Sequence, residues 1–186
     1  MMAVQCEDLQ ARARRAAIEA TARLSAWFDQ CVDLDVAGIG TGMSPDMIGQ
    51  LLAAHGGESV TGTRQGFRAS ASGEALILLA SEPVSRWWQP VGALFGYAPI
   101  SLLAPEEALL EFGALVIGGY VTAFHDDRNA AALRFMPPTL LSALSTVEVT
   151  QKQAALAHTA SHLLVVQVSA PAAALDAVLA VFPGRV

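Results

Sequence analysis

Residues Pro105–Phe124, PEEALLEFGALVIGGYVTAF, constrain the fold more than any other stretch of this chain. A proline suits the opening turn of a helix, where its missing N–H would have had no partner. Glu106 and Glu107 follow, Glu111 comes one turn later, and the remainder is apolar or small. Helical side chains three or four apart share a face, so Glu107, Glu111, Ala114 and Gly118 form one stripe. Leu109, Leu110, Phe112, Leu115, Val116, Val121 and Phe124 occupy the other faces and require burial. The segment is therefore a core helix with one thin wet edge. That edge is either a plain solvent boundary or a contact surface for another molecule.

A chain of 186 residues suits one domain, or two small halves folded together. Apolar residues make up 53% and charged ones 15%, so a packed core is feasible and disorder is not expected. The mean hydropathy of +0.43 raises the question of a membrane. Phe112–Phe124 is the best uninterrupted apolar run, short of the ~20 residues a bilayer requires. Trp87–Pro105 is longer, but Pro90 and Pro99 break it. The opening MMAVQCEDLQARARR has no apolar block behind a basic start, so no signal peptide is expected. These features predict a soluble, cytoplasmic protein without membrane insertion. Cys6 and Cys31 lack metal-ligand spacing and suit reduced thiols. A net charge of −6 argues against nucleic-acid binding. The only basic run, Arg12–Arg15, reads as the solvated face of a first helix.

Taken in order, Glu7–Asp29 is rich in helix formers, and Val32–Ile39 alternates as a half-exposed strand does. Ser44 and Pro45 open a short helix to about Ala54. Ser59–Phe67 and Ala69–Ala80 predict an antiparallel pair, and Ser81–Phe95 a helix kinked or interrupted at Pro90. After the loop Gly96–Leu103 the series begins again. The acidic helix leads to a strand near Ala131–Met136, then Pro137-Pro138 and a short helix Thr139–Leu144. Strands near Lys152–Thr159 and His162–Ser169 and a closing helix Ala170–Phe182 complete the second series. The order of elements predicts a duplicated unit, with repeats at about 5–96 and 104–183.

Other motifs weigh less. Gly38-Ile39-Gly40-Thr41-Gly42 follows a strand, but Met43 stands where a dinucleotide loop needs its third glycine and no parallel βαβ unit follows. It reads as a turn. His158 and His162 have a helical metal-binding spacing, yet both fall on a strand and its turn, so no metal site is expected. Trp87-Trp88 reads as core with one ring able to reach the surface. Gly113, Gly118 and Gly119 each cost roughly 1 kcal/mol of helix propensity. Close packing of the two long helices would explain them.

Glu107-Ala-Leu-Leu-Glu111-Phe-Gly-Ala114, then Ile-Gly-Gly-Tyr-Val-Thr-Ala and Pro137, resembles the second signature of the CheC-like chemotaxis phosphatases. Glu111 and Pro137 stand in register with that signature's Glu and Pro. The stretch ESVTGTRQGFRASASGEALILLASEPVSRWWQPVGALFG is similar to the family's strand pair, helix and linker, and LRFMPPTLL to its later strand and Pro turn. The resemblance covers nearly the whole chain. It implies an α/β fold: one CheC-like domain with an internal pseudo-twofold repeat, an antiparallel sheet and two long adjacent helices.

It also implies a function. Members of the family hydrolyse the aspartyl phosphate of the response regulator CheY. A helix Glu pairs with the regulator's lysine, and an Asn orients water for in-line attack, both positioning tasks. This chain carries Ala114 at the Asn position and Glu107 where the family has Ser or Asp. In the first half, aligning Val32–Val36 with the family's strand puts Ala11, Arg14 and Ala37 at the Glu, Asn and Pro positions. A register anchored on Pro45 recovers Glu19 but meets Ala22 at the Asn.

The resemblance therefore implies engagement of a phosphorylated CheY-like receiver as a weak or degenerate phosphatase. Glu111, with Glu107 as a weaker candidate, is the catalytic candidate. Glu107, Glu111, Ala114, Gly118 and Pro137 form the partner-contact set. A non-catalytic adaptor for a receiver or for the deamidase CheD is the rival, and a small-molecule sensor is a third possibility. The protein is expected to have no cofactor of its own, since a receiver would carry the Mg.

Overall fold

The computed structural model describes residues 2–40, 59–68, 72–80, 85–96, 104–125, 133–145, 148 and 162–183. Helix α1 (Met2–Phe28) leads to strand β1 (Asp33–Gly40), and β2 (Ser59–Arg68) to β3 (Ser72–Ala80). Helices α2 (Ser85–Leu94) and α3 (Pro105–His125) follow. Next come β4 (Arg134–Phe135), β5 (Thr139–Ser145) and β6 (Leu163–Ala170), then a 3-10 turn at Pro171–Ala173 and β7 (Leu175–Phe182). The seven strands among the described residues form one antiparallel sheet in the order β1-β6-β7-β3-β2-β4, with β5 also on β2. The expected α/β class with an antiparallel sheet is what the chain adopts.

The pairing order is symmetric about the β3–β7 contact. The β2–β3 pair matches the β6–β7 pair, and β1 on β6 matches β4 and β5 on β2. Register follows the same correspondence. Gly38 faces Val165 just after a bulge in β1, and Thr139 faces Arg64 just after Met136–Pro138 interrupts the opposite edge.

Two expected helices are strands. Thr139–Leu144 lies within β5, paired along β2 from Arg64 to Ser59. Ala170–Phe182 is the 3-10 turn followed by β7, between β6 and β3. Its alanines favour helix locally. Tertiary context overrides that preference, because β7 is covered on both faces and its VLAVF run is what a doubly buried strand requires. Ala174, with φ 52°, makes the tight turn that lets β7 fold back on β6. Of the strand expected at Ala131–Met136, Arg134–Phe135 forms β4, Leu133 and Met136 lie outside it, and residues 131 and 132 are not among the described residues. The strand near Lys152–Thr159 and the helix after Pro45 lie outside the described residues.

Each face of the sheet buries its own apolar set. Ala75, Ile77, Leu79, Leu164, Val166, Leu179 and Val181 point to the helical side. Leu76, Leu78, Leu163, Val165, Val178, Ala180 and Phe182 alternate with them and are buried on the other. On the helical side α1 and α3 run antiparallel: Phe28 meets Phe112 with ring centroids 6.4 Å apart, Leu24 faces Gly119, and Tyr120 donates its hydroxyl to the Ala13 carbonyl at 3.3 Å. Asp29, at φ 51°, ends α1 in the left-handed conformation that Asp tolerates better than most residues. Ser25 then ties the chain down, its Oγ accepting from Val32 N at 2.9 Å and donating to Val32 O at 3.1 Å.

Arg12 departs from its expected solvated role. Its guanidinium lies 4.5 Å from the Phe124 ring centroid, and Nε donates to the Phe124 carbonyl at 2.9 Å, capping the end of α3. Arg14 and Arg15 are exposed as expected. Trp88 is half-buried against the core, and α2 continues through Pro90. Gly38 and Gly40 belong to β1.

Helix α3 also corrects the expectation that no segment is long enough for a bilayer. With 21 residues and a hydropathy of 1.4 in its most apolar window, it passes by length and composition. Half of that window is buried within the fold. The apolar faces of α3 are used by α1 and the sheet.

Candidate functional site

Helix α3 begins with Pro105 at its first position, and the Ala104 carbonyl accepts from Glu107 N at 3.0 Å and Ala108 N at 3.3 Å. Glu106 and Glu107 in the first turn favour this end, where partial positive charge accumulates. Ala108, Leu109, Phe112, Gly113, Val116, Ile117, Tyr120, Val121 and Phe124 are buried. Glu107 and Glu111 are exposed, while Ala114, Gly118 and Thr122 are half-buried. The expected stripe thus exists as one continuous solvent-facing edge on a helix whose other sides are used for packing.

The helix is fixed in rotation by the sheet beneath it. The fully buried Thr63 of β2 donates its hydroxyl to the Leu109 carbonyl at 2.9 Å, and the same side chain lies against Gly113. Both contacts fall within two residues of Glu111, so the carboxylate projects from a stiffly seated turn. Seating of this kind fixes where the side chains of the solvent edge emerge from the helix.

The three helix glycines have three different roles, where the sequence suggested one. Gly113 meets Thr63, and Gly119 meets Leu24 of α1. An added Cβ on Gly118 would meet nothing within 4 Å. Only Gly119 therefore serves the contact between the long helices. Pro137 is exposed in the break between β4 and β5, where Met136 N donates to the Gly66 carbonyl at 2.9 Å. It belongs to the sheet edge rather than to the stripe.

Sequence reasoning missed the surface that adjoins the stripe. Gly118, Gly119 and Thr122 line a groove of about 600 Å³ together with Arg23, Leu24 and Trp27 of α1 and Phe135 of β4. Trp27 is 66% exposed and Phe135 37%. The available signals were a tryptophan in the last turn of α1 and a second adjacent helix glycine, Gly118, beyond the one that the contact with α1 uses. His158, and with it the His158–His162 spacing, lies outside the described residues.

No known family model matches the sequence, and no curated protein does. Solved structures match over most of the chain. FliY from Thermotoga maritima has a TM-score of 0.57 at 10% identity, covering 96% of this chain and 88% of its own. The chemotaxis protein CheX from Desulfovibrio desulfuricans has a TM-score of 0.54 at 11% identity, covering 93% and 99% respectively. The CheX–CheY–BeF3–Mg complex from Borrelia burgdorferi matches with a TM-score of 0.52 at 14% identity, covering 91% and 96%. The fold is CheC-like. At these identities the likeness extends to the CheC-like architecture and not to any side chain, so the roles of Glu107, Glu111 and Ala114 rest on their own geometry.

Proposed function

We propose that this protein docks a phosphorylated CheY-like receiver domain on the solvent edge of α3, with little or no hydrolysis of its aspartyl phosphate. The exposed Glu111, held above the Thr63 seat and followed one turn later by Ala114, carries this reading. A carboxylate there can pair with a cation beside the phosphorylation pocket. In-line hydrolysis needs, in addition, a group that holds water in line with the phosphorus, and the Ala114 methyl can neither donate nor accept. Loss of one oriented polar group typically costs ~10² or more in rate. Glu107, one turn before Glu111 and also exposed, could order a water, but a second carboxylate near a phosphoryl group adds repulsion. The receiver would bring its own Mg.

The Borrelia burgdorferi CheX complex supports this reading as an example of the fold holding CheY with BeF3 and Mg. A second reading, favoured by Ala114, is a purely non-catalytic adaptor whose partner is a receiver or CheD. FliM from Helicobacter pylori, another structural neighbour, is seen in complexes with FliG and with SpeE, so the fold also serves docking to other proteins.

Decay of the phosphorylated CheY-like receivers of the same organism, with and without this protein, tests the proposal alongside direct binding. Saturable binding that Glu111→Ala weakens, with decay changed little, is the expected result. Fast decay that survives Glu111→Ala would remove Glu111 from the site. Binding to CheD and to no receiver would select the adaptor.

A further inference from the structure

We infer that the groove between α1 and α3 is the apolar half of the same docking face, receiving a hydrophobic side chain from the receiver domain. The inference rests on the reading above and adds a second, separable contact to it. Its first support is continuity. Gly118 belongs to both the Glu111 edge and the groove wall, and the two positions are roughly 10 Å apart along the helix.

The second support is chemistry. Leu24, Trp27, Gly118 and Phe135 give the groove an apolar lining with two aromatic walls, and Arg23 and Thr122 add polar atoms. Large apolar side chains left in solvent are informative when they gather around one concavity, and Trp27 is 66% exposed beside this one. Protein contacts concentrate their energy in such places, where an anchor residue fills a desolvated pocket surrounded by polar groups.

Charge completes the argument. The face is acidic at Glu107 and Glu111, apolar at Gly118 and Trp27, and carries Arg23 at the groove. Arg23 already pairs with Glu19 on the outer surface of α1. A complementary partner presents a cation, then an apolar anchor, over roughly the 10 Å between Glu111 and Gly118. Gly118 is what keeps the two halves of this face connected. An added Cβ there has no neighbour within 4 Å, so a side chain at this position starts in open space at the groove wall.

The test is binding of beryllofluoride-activated, Mg-loaded CheY-like receivers from the same organism to wild type, Gly118→Leu, Trp27→Ala and Glu111→Ala. Thermal melts of each variant serve as the folding control. Gly118→Leu is expected to fold at least as well as wild type while weakening binding about tenfold or more, with Trp27→Ala weakening it as well. Wild-type affinity in folded Gly118→Leu, alongside loss in Glu111→Ala, would overturn the groove and leave the receiver reading standing. Wild-type protein that binds no activated receiver overturns both. Weakening by Gly118→Leu and Trp27→Ala with none by Glu111→Ala keeps the groove and removes Glu111 from the contact.

Discussion

A Cβ placed on Gly113 would stand 2.4 Å from the Cβ of Thr63. Thr63 is completely buried, so it has no room to retreat, and its hydroxyl is committed to the Leu109 carbonyl. Helix α3 is thus seated on β2 at backbone-to-side-chain contact. Gly113→Ala is expected to destabilise the protein by about 1–3 kcal/mol, since overpacking outweighs the better helix propensity of alanine. Urea unfolding measures this directly. An unchanged midpoint and slope would mean that α3 does not sit this close to the sheet.

Gly118→Ala should have the opposite sign. The position is helical, half-buried and open above, so alanine brings only its lower conformational cost. A gain of about 0.5–1 kcal/mol is expected by urea or thermal unfolding. Equal losses in Gly118→Ala and Gly113→Ala would contradict the distinct surroundings of the two glycines.

Tyr120 gives the fold an alkaline limit. Burial pushes its phenol well above the ordinary tyrosine range, because the ionised form would lose water inside the core. In the unfolded chain the phenol titrates near its ordinary value of about 10. Between the two values the native state holds the proton and the unfolded state releases it, so stability falls as pH rises. The contribution is complete below pH ~10 and declines above it by up to about 1.4 kcal/mol per pH unit. Tyr120→Phe should flatten this decline between pH 9 and 11. At neutral pH it should cost about 0.5–1.5 kcal/mol for the bond to Ala13. Parallel urea titrations of both proteins at the two pH values check the sign.

The parts of this structure legible in the sequence are those in which local pattern and tertiary use agree. Helix α3 declares itself through Pro105, the first-turn glutamates and an apolar remainder, and its solvent edge follows from helical spacing alone. The β2–β3 pair is equally plain. Thr139–Leu144 and Ala170–Phe182 are misread because leucine and alanine favour helix locally, while strand pairing with β2, β3 and β6 decides their state. Such partners are distant in sequence, and no periodicity within either segment encodes them. The groove escapes for a related reason. It exists only where Trp27, Gly118 and Phe135 converge from three elements, and none of these is unusual in its own segment.

Ala114→Asn addresses the chemistry of α3 itself. The substitution places a carboxamide one turn beyond Glu111, at a half-buried position on the solvent edge, where it can project without entering the core. If α3 faces a receiver's phosphorylation pocket, the amide can hold a water that the native methyl cannot. Decay of the phosphorylated receiver should then accelerate by ~10², the scale on which single oriented polar groups act. Glu111→Ala in the same background should abolish the gain by weakening the docking on which it depends. Binding of the activated receiver should change much less than decay, because the amide acts on the attacking water rather than on the contact. Unchanged decay in a variant that folds and binds normally would show that the Ala114 position does not face the phosphoryl group.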